Sequence, residues 1–303
     1  MKFIYGNHQN EPIVAVLLEN QPEKALDLTH AASVLEVDFP NTLLEAVQLG
    51  EDFVEKVDEL QSLLKEQGNT EKYILELDSI ELLAPIPRPT KNIFCVGKNY
   101  LDHALELGTE ADVPEVPMIF SKAPTTVIGP EQPIIIPTEV TTDIDYEGEL
   151  AVIIGKKGKA ITRDEAYDYV FGYTLINDVT ARDLQSRHKQ FLIGKSLDGS
   201  CPMGPALVHK SAVPDPHDLH ITTYVNGETR QSSSTSKMIF SIPELIEVLS
   251  KVMTLEPGDI IATGTPAGVG KGFNPPKFLK ADDIVKVEVE YIGTLSNPVH
   301  NDV

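Results

Sequence analysis

Three carboxylates separated along the chain are the residues best suited to chemistry. Glu147 and Glu149 stand two apart in IDYEGELAVII (144–154), and Asp178 closes the apolar run of GYTLIND. Side chains two apart on a strand point the same way, so Asp143, Asp145, Glu147 and Glu149 would crowd one face. Two carboxylates about 4 Å apart repel by roughly 1 kcal/mol in water and about 4 kcal/mol at an effective dielectric of 20. A hard divalent cation reverses that sign, and an all-oxygen donor set selects Mg2+, Mn2+ or Ca2+ over zinc. The same alternation describes a solvated strand face, and spacing alone leaves both readings open.

Two further clusters invite the same question. A helix over 100–107 in KNYLDHALELG places His103 and Glu106 on one face, where they could orient and deprotonate a water or form an incidental surface pair. ARDLQSRHKQFLIGKSLD (181–198) gathers Arg182, Arg187, His188, Lys189 and Lys195, which suits a carboxylate pocket or plain charge balance. ATGTPAGVGKGF (262–273) fails the phosphate-loop pattern, since Thr265 and Gly272 stand where Gly and Ser or Thr are required. It reads as a flexible turn with Thr263 and Thr265 free to hydrogen-bond.

Residues 1–84 read as a small N-terminal α/β domain. Strands are predicted near 13–18 and 25–28, followed by a helical pattern from Leu43 to Leu64 broken at Gly50. The prolines of APIPRPTKN (84–92) mark the boundary to a second domain, 85–303. There strands dominate, with a hairpin at Asn226-Gly227 and helices opened by Thr162-x-x-Glu165 and Ser241-x-x-Glu244. The fold class is α+β and β-rich.

The chain has 303 residues and a net charge of −21, which argues against nucleic-acid and anionic-membrane surfaces. An anionic substrate therefore needs local positive charge. The two cysteines, Cys95 and Cys201, form no Cys-x-x-Cys pattern and read as core residues of a cytoplasmic protein. No stretch approaches the roughly 20 apolar residues of a membrane span.

Taken in order, KNYLDHALELG, PMIFSKAPTTVIGP, DYEGELAVIIG, FGYTLINDVTARDLQ, QFLIGKSLDGSCPMGP and ATGTPAGVG resemble the fumarylacetoacetate hydrolase (FAH) family over roughly residues 85 to 300. The full length is similar to a bacterial branch of that family associated with oxaloacetate decarboxylation. The resemblance implies an FAH-type mixed β-sandwich roll, a homodimer, and Mg2+ or Mn2+ held by Glu147, Glu149 and Asp178. The family's His–Glu dyad falls on His103 and Glu106, its active-site lysine on Lys195, and polar substrate contacts on Gln185 and Thr265. Lys98 stands where many relatives carry Arg, so a point charge replaces a planar fork there. Asp143 and Asp145 keep the reading of a solvated face.

Relatives act on 2-oxo acids with a β-carbonyl or β-carboxylate, so a small anionic 2-oxo acid is the implied substrate. The expected reaction is C–C cleavage: hydrolysis of an acylpyruvate or fumarylpyruvate, decarboxylation of oxaloacetate, or both. Tautomerisation of oxaloacetate, or another isomerase or hydratase activity, is the alternative among enzymes. A binding or scaffold protein on the same fold would be marked by a lost ligand or dyad member, and none is lost.

Overall fold

The runs LAVII and VFGYTLI lack a polar face, which suits strands covered on both sides. In the computed structural model, which describes residues 1–302, they form strands Gly148–Ile154 and Val170–Asn177, buried at every position. Both lie inside a twelve-stranded sheet. From one edge its main path runs Ile74–Glu76, Gln21–Asp27, Glu11–Leu18, Lys2–His8, Cys201–His209, Val170–Asn177, Gly148–Ile154, Ile260–Ala262, Ile93–Gly97 and Met118–Lys122.

Strand Lys2–His8, absent from the sequence reading, pairs with Cys201–His209 in the register Lys2 to Val208. The sheet is thus continuous on either side of the proline-rich segment 84–92. Over it lie two helices, Leu43–Leu49 and Glu51–Glu66, divided at Gly50, whose φ of 63° only glycine adopts without cost. The longer helix buries Phe53, Val57, Leu60 and Leu64, the 3.6-residue stripe. Phe53 touches Phe3 of the first strand and Phe171 of the central one, with ring centroids at 4.9 and 6.4 Å.

A five-stranded sheet covers part of the other face, in the order Glu228–Ser234, His220–Val225, Ile284–Val289, Gly293–Asn301 and Ile134–Ile136. Leu150, Val152 and Leu175 of the large sheet share one buried cluster with Ile221, Val287 and Leu295 of the small one. That makes a sandwich of two inner faces. Asn226 and Gly227 turn its hairpin at φ of 53° and 79°, both in the left-handed region a two-residue turn demands. Helix Ile242–Val252 seals the sandwich, its start capped by Ser241. The Thr162–Glu165 capping box also forms, but it opens a 3-10 helix over Arg163–Tyr169. Among the described residues, no helix is long and apolar enough to cross a membrane.

Candidate active site

The acidic row is not one strand. Ile144–Asp145 pairs with Thr180–Ala181, whereas Gly148–Ile154 pairs with Val170–Asn177, and the backbone breaks between them at Tyr146–Glu147. Asn177 Oδ1 accepts from the Glu147 N–H at 2.9 Å, and the Glu147 carbonyl accepts from the Asp178 N–H at 2.8 Å. These bonds bring Glu147 and Asp178 together, 31 positions apart in sequence. One carboxylate oxygen from each of Glu147, Glu149 and Asp178 falls in a group whose members lie within 4.8 Å of one another. All three residues are buried.

Buried carboxylates at such separations need cations. Lys195 Nζ lies 2.6 Å from Glu147 Oε2 and 2.7 Å from Asp178 Oδ2. Arg182 bridges Glu147, at 2.6 Å, and Asp145, at 2.8 Å. Lys122, fully buried, lies 2.9 Å from Asp178 Oδ1 and also donates to the carbonyls of Val179 and Lys195. Burial alone would raise the Glu147 carboxyl, but Lys195 and Arg182 outweigh it and hold it down at about 2. Glu149 receives the Gly264 N–H at 2.8 Å. Burial, and then Asp178 and Glu147, push its carboxyl well above the usual range. Four buried carboxyl groups (Asp145, Glu147, Glu149 and Asp178) share three buried cations, so the fourth, Glu149, has no cation of this chain to offset its charge when ionised. This surplus and the all-oxygen donor set fit a hard divalent cation, with Glu147, Glu149 and Asp178 as the residues that could hold it.

Asp145 corrects the sequence reading. It is 0% exposed rather than solvated, and it accepts from Arg182 and from the backbone N–H groups of Gly270 and Lys271. Alternation was the wrong guide because the strand breaks before Glu147. The turn 262–273 is corrected with it, for it is not a loose connection. Its backbone N–H groups hold three acids: Gly264 binds Glu149, Gly268 binds Glu106 at 3.0 Å, and Gly270 and Lys271 bind Asp145. A glycine-rich loop built to cradle phosphates would use the same donors; here carboxylates of this chain already occupy them.

His103 and Glu106 sit on helix Leu101–Glu106, with Nδ1 3.4 Å from Glu106 Oε2. Glu106 lies so close to Gly272 that a Cβ there would stand 2.1 Å from its Oε1. His103 lines a cavity of about 300 Å3 together with Glu147, Glu149, Arg182, Lys195, Lys98, Gln185 and Thr265. Glu106 and Asp178 act from behind that wall. Gln185 Oε1 accepts from Arg182, and Thr265 Oγ1 donates to the Gly148 carbonyl while accepting from Gln231. Of the basic stretch, Arg182 and Lys195 enter the ion cluster, while Arg187, His188 and Lys189 are exposed, Lys189 alone of these three lining the cavity. Neither Lys122 nor Lys271 was singled out as a site residue from the sequence. Lys122 ends a short strand, and its partner Asp178 lies 56 positions on, so no local pattern announces it.

This arrangement defines the class of protein. The model of the fumarylacetoacetate (FAA) hydrolase C-terminal family matches residues 92–300, and the chain belongs to the fumarylacetoacetate hydrolase family. It is 54% identical over 302 residues to a Bacillus subtilis protein named oxaloacetate tautomerase YisK, covering 99% of this chain and 100% of that one. A fumarylacetoacetate hydrolase from the psychrophile Exiguobacterium antarcticum superposes with a TM-score of 0.80 at 39% identity, over 100% of both chains. Maleylpyruvate hydrolase from Sphingobium sp. SYK-6, solved in complex with manganese(II) ion and pyruvate, gives 0.77 at 26% identity, again over 100% of both.

Proposed function

We propose that this chain is an enzyme that interconverts the keto and enol forms of oxaloacetate or a closely similar 2-oxo acid. The observation that carries the reading is His103, backed by Glu106, lining one cavity with Glu147 and Glu149 of the buried carboxylate cluster, in a chain 54% identical to a protein named oxaloacetate tautomerase. Glu147, Glu149 and Asp178 would hold Mg2+ or Mn2+, which when bound supplies Lewis-acid polarisation of the 2-oxo group.

The remaining work falls to this chain's own side chains. His103 takes the proton from C3, the C3–H electron pair becomes the C2–C3 double bond, the C2–O π pair moves onto the keto oxygen, and that oxygen takes a proton back from the imidazolium, directly or through a water, to give the enol. Glu106, fixed by the Gly268 N–H, holds the imidazole by its Nδ1 and so orients the ring. Lys195 and Arg182 keep Glu147 ionised and fixed in place. With the carboxylates held in place beforehand, little reorganisation of this chain is needed as charge develops on the substrate oxygen.

C–C cleavage is the second reading, favoured by likeness to a maleylpyruvate hydrolase solved with manganese and pyruvate. The same dyad would then deliver water to the distal carbonyl, or the β-carboxylate would leave as CO2. Following enol absorbance and pyruvate release together, on Mn2+-reloaded protein, separates the two. Tautomerisation removes the enol signal without pyruvate, and cleavage releases pyruvate in step. If neither rate exceeds the uncatalysed background, both readings fall. Glu106→Gln should lower the observed rate by about 10²-fold or more while leaving the melting temperature in place; an unimpaired rate removes Glu106 from the mechanism.

A further inference from the structure

The cavity that holds the carboxylate cluster is also lined by Lys98, Lys189 and Lys271, which come from three separate segments. In a chain with 46 acidic and 25 basic residues, three ammonium groups on one small cavity are a local reversal of sign. Lys98 has a carboxylate nearby, Asp112 at 3.8 Å. Among the described residues, neither Lys189 nor Lys271 has one within 4.0 Å, in contrast to Lys122, Lys195 and Arg182, which all do. Both residues are exposed to solvent on the cavity's lining, and with no carboxylate of this chain holding them their ammonium groups are free to pair with an anion that enters it.

The bases of both lysines are anchored to the ion cluster. Arg182, at the start of helix Arg182–His188, grips Glu147 and Asp145, and Lys189 caps the other end of that helix. Seven residues at 1.5 Å each put Lys189 about 10 Å along the axis from Arg182. Its flexible four-carbon stem reaches back over part of that gap. Lys271 is tied at its own N–H to Asp145, at 3.0 Å. Lys189 also sits at φ of 60°, where glycine would be unstrained and is the usual helix terminator. A charged side chain held in strained backbone beside a cavity is a pattern of functional sites.

We propose that Lys189 and Lys271 form the specificity site for the far carboxylate of a 2-oxo dicarboxylate. The chain would then select dianionic 2-oxo acids over those ending in a methyl or acyl group. The inference rests on the proposed 2-oxo acid reading for the near end of the ligand, which sits at the carboxylate floor. The far charge, a few bonds away, then points toward the two lysines.

The test uses 2-oxoglutarate and 2-oxopentanoate, which differ only in the far carboxylate, titrated calorimetrically into the full-length Mn2+-loaded protein. Lys189→Gly relieves the backbone strain as it removes the charge, and Lys271→Gln leaves the N–H bond to Asp145 intact, so both variants should fold. The wild type is expected to bind the dicarboxylate at least about tenfold tighter, as charge-assisted hydrogen bonds do. Each substitution reduces that preference, and the double variant abolishes it while 2-oxopentanoate binds as before. In parallel, KM for oxaloacetate should rise about tenfold in the double variant, with the loss falling in KM rather than kcat. Equal binding of the two acids, no binding of either, or a double variant that keeps the preference overturns the site. Failure of oxaloacetate turnover with the calorimetric preference intact overturns the proposed reaction and supports the lysine pair.

Discussion

Two arginines in this chain each fork two carboxylates at nearly the same distances. Arg182 lies 2.8 Å from Asp145 and 2.6 Å from Glu147; Arg163 lies 2.7 Å from Glu247 and 2.8 Å from Glu244. The Arg182 side chain is 4% exposed and that of Arg163 54%. Contact geometry therefore fails to tell them apart, and solvent does. Around Arg182 little solvent can compete, so each partner taken away strands a largely buried charge. Around Arg163 water takes over any bond that is lost, and salt screens what remains. The carboxylate cluster of the candidate site is built from the first kind of contact.

The strongest way to break this comparison is Arg182→Met, which keeps an unbranched, sizeable side chain but removes the guanidinium. Asp145 and Glu147 lose a shared cation, and the expected cost is about 3 kcal/mol or more. At a few degrees per kcal/mol, the melting temperature should fall by on the order of 10 °C. Arg182→Lys should recover only part, since an ammonium cannot fork two carboxylates in one plane. A fall of no more than a degree or two for Arg182→Met would show that burial does not make this contact different from Arg163.

A smaller effect of opposite sign is expected at Glu149. It is 1% exposed, it faces Asp178 and Glu147, and its one strong donor is the Gly264 N–H. In metal-free protein its charge is a liability, so Glu149→Gln should melt at the same temperature as the wild type or higher. Added Mn2+ should raise the wild-type melting temperature progressively, by the equivalent of about 2.7 kcal/mol at a hundred times its dissociation constant. The variant should lose most of that response. If Mn2+ stabilises both proteins equally, Glu149 is not a ligand.

How much of this was legible in the sequence follows from the same contrast. Strands Gly148–Ile154 and Val170–Asn177 were readable because LAVII and VFGYTLI lack a polar face and have few other places to go. The hairpin at Asn226-Gly227 and the helix break at Gly50 were readable because each requires a backbone that few residues adopt. Local pattern did not show that Asp145 is buried, because its partners are Arg182 and the turn at Gly270 and Lys271. Lys122 was missed for the same reason. Strand Lys2–His8 escaped notice although its partner Glu11–Leu18 was found, since KFIYGNH carries polar residues at its end. Candidate ligands and dyad emerged only from the order of motifs along the chain; spacing could not separate a metal site from a wet strand.

The smallest effect tests the other arm of the comparison. Arg163→Met should leave the melting temperature unchanged within error, for reasons that can be named at each partner. Glu244 lies in the first turn of helix Ile242–Val252, where the exposed N–H groups favour a negative charge without Arg163. Glu247 keeps Lys251, one turn further on at 3.2 Å. Neither carboxylate is stranded, and both can be hydrated. Raising the salt from 0.05 to about 1 M should therefore not widen any gap between wild type and Arg163→Met. The same change should leave the deficit of Arg182→Met in place, because its charges lie beyond the reach of screening ions. A large deficit for Arg163→Met would mean that the exposed fork fastens Arg163–Tyr169 to helix Ile242–Val252, and that distance rather than burial ranks these contacts.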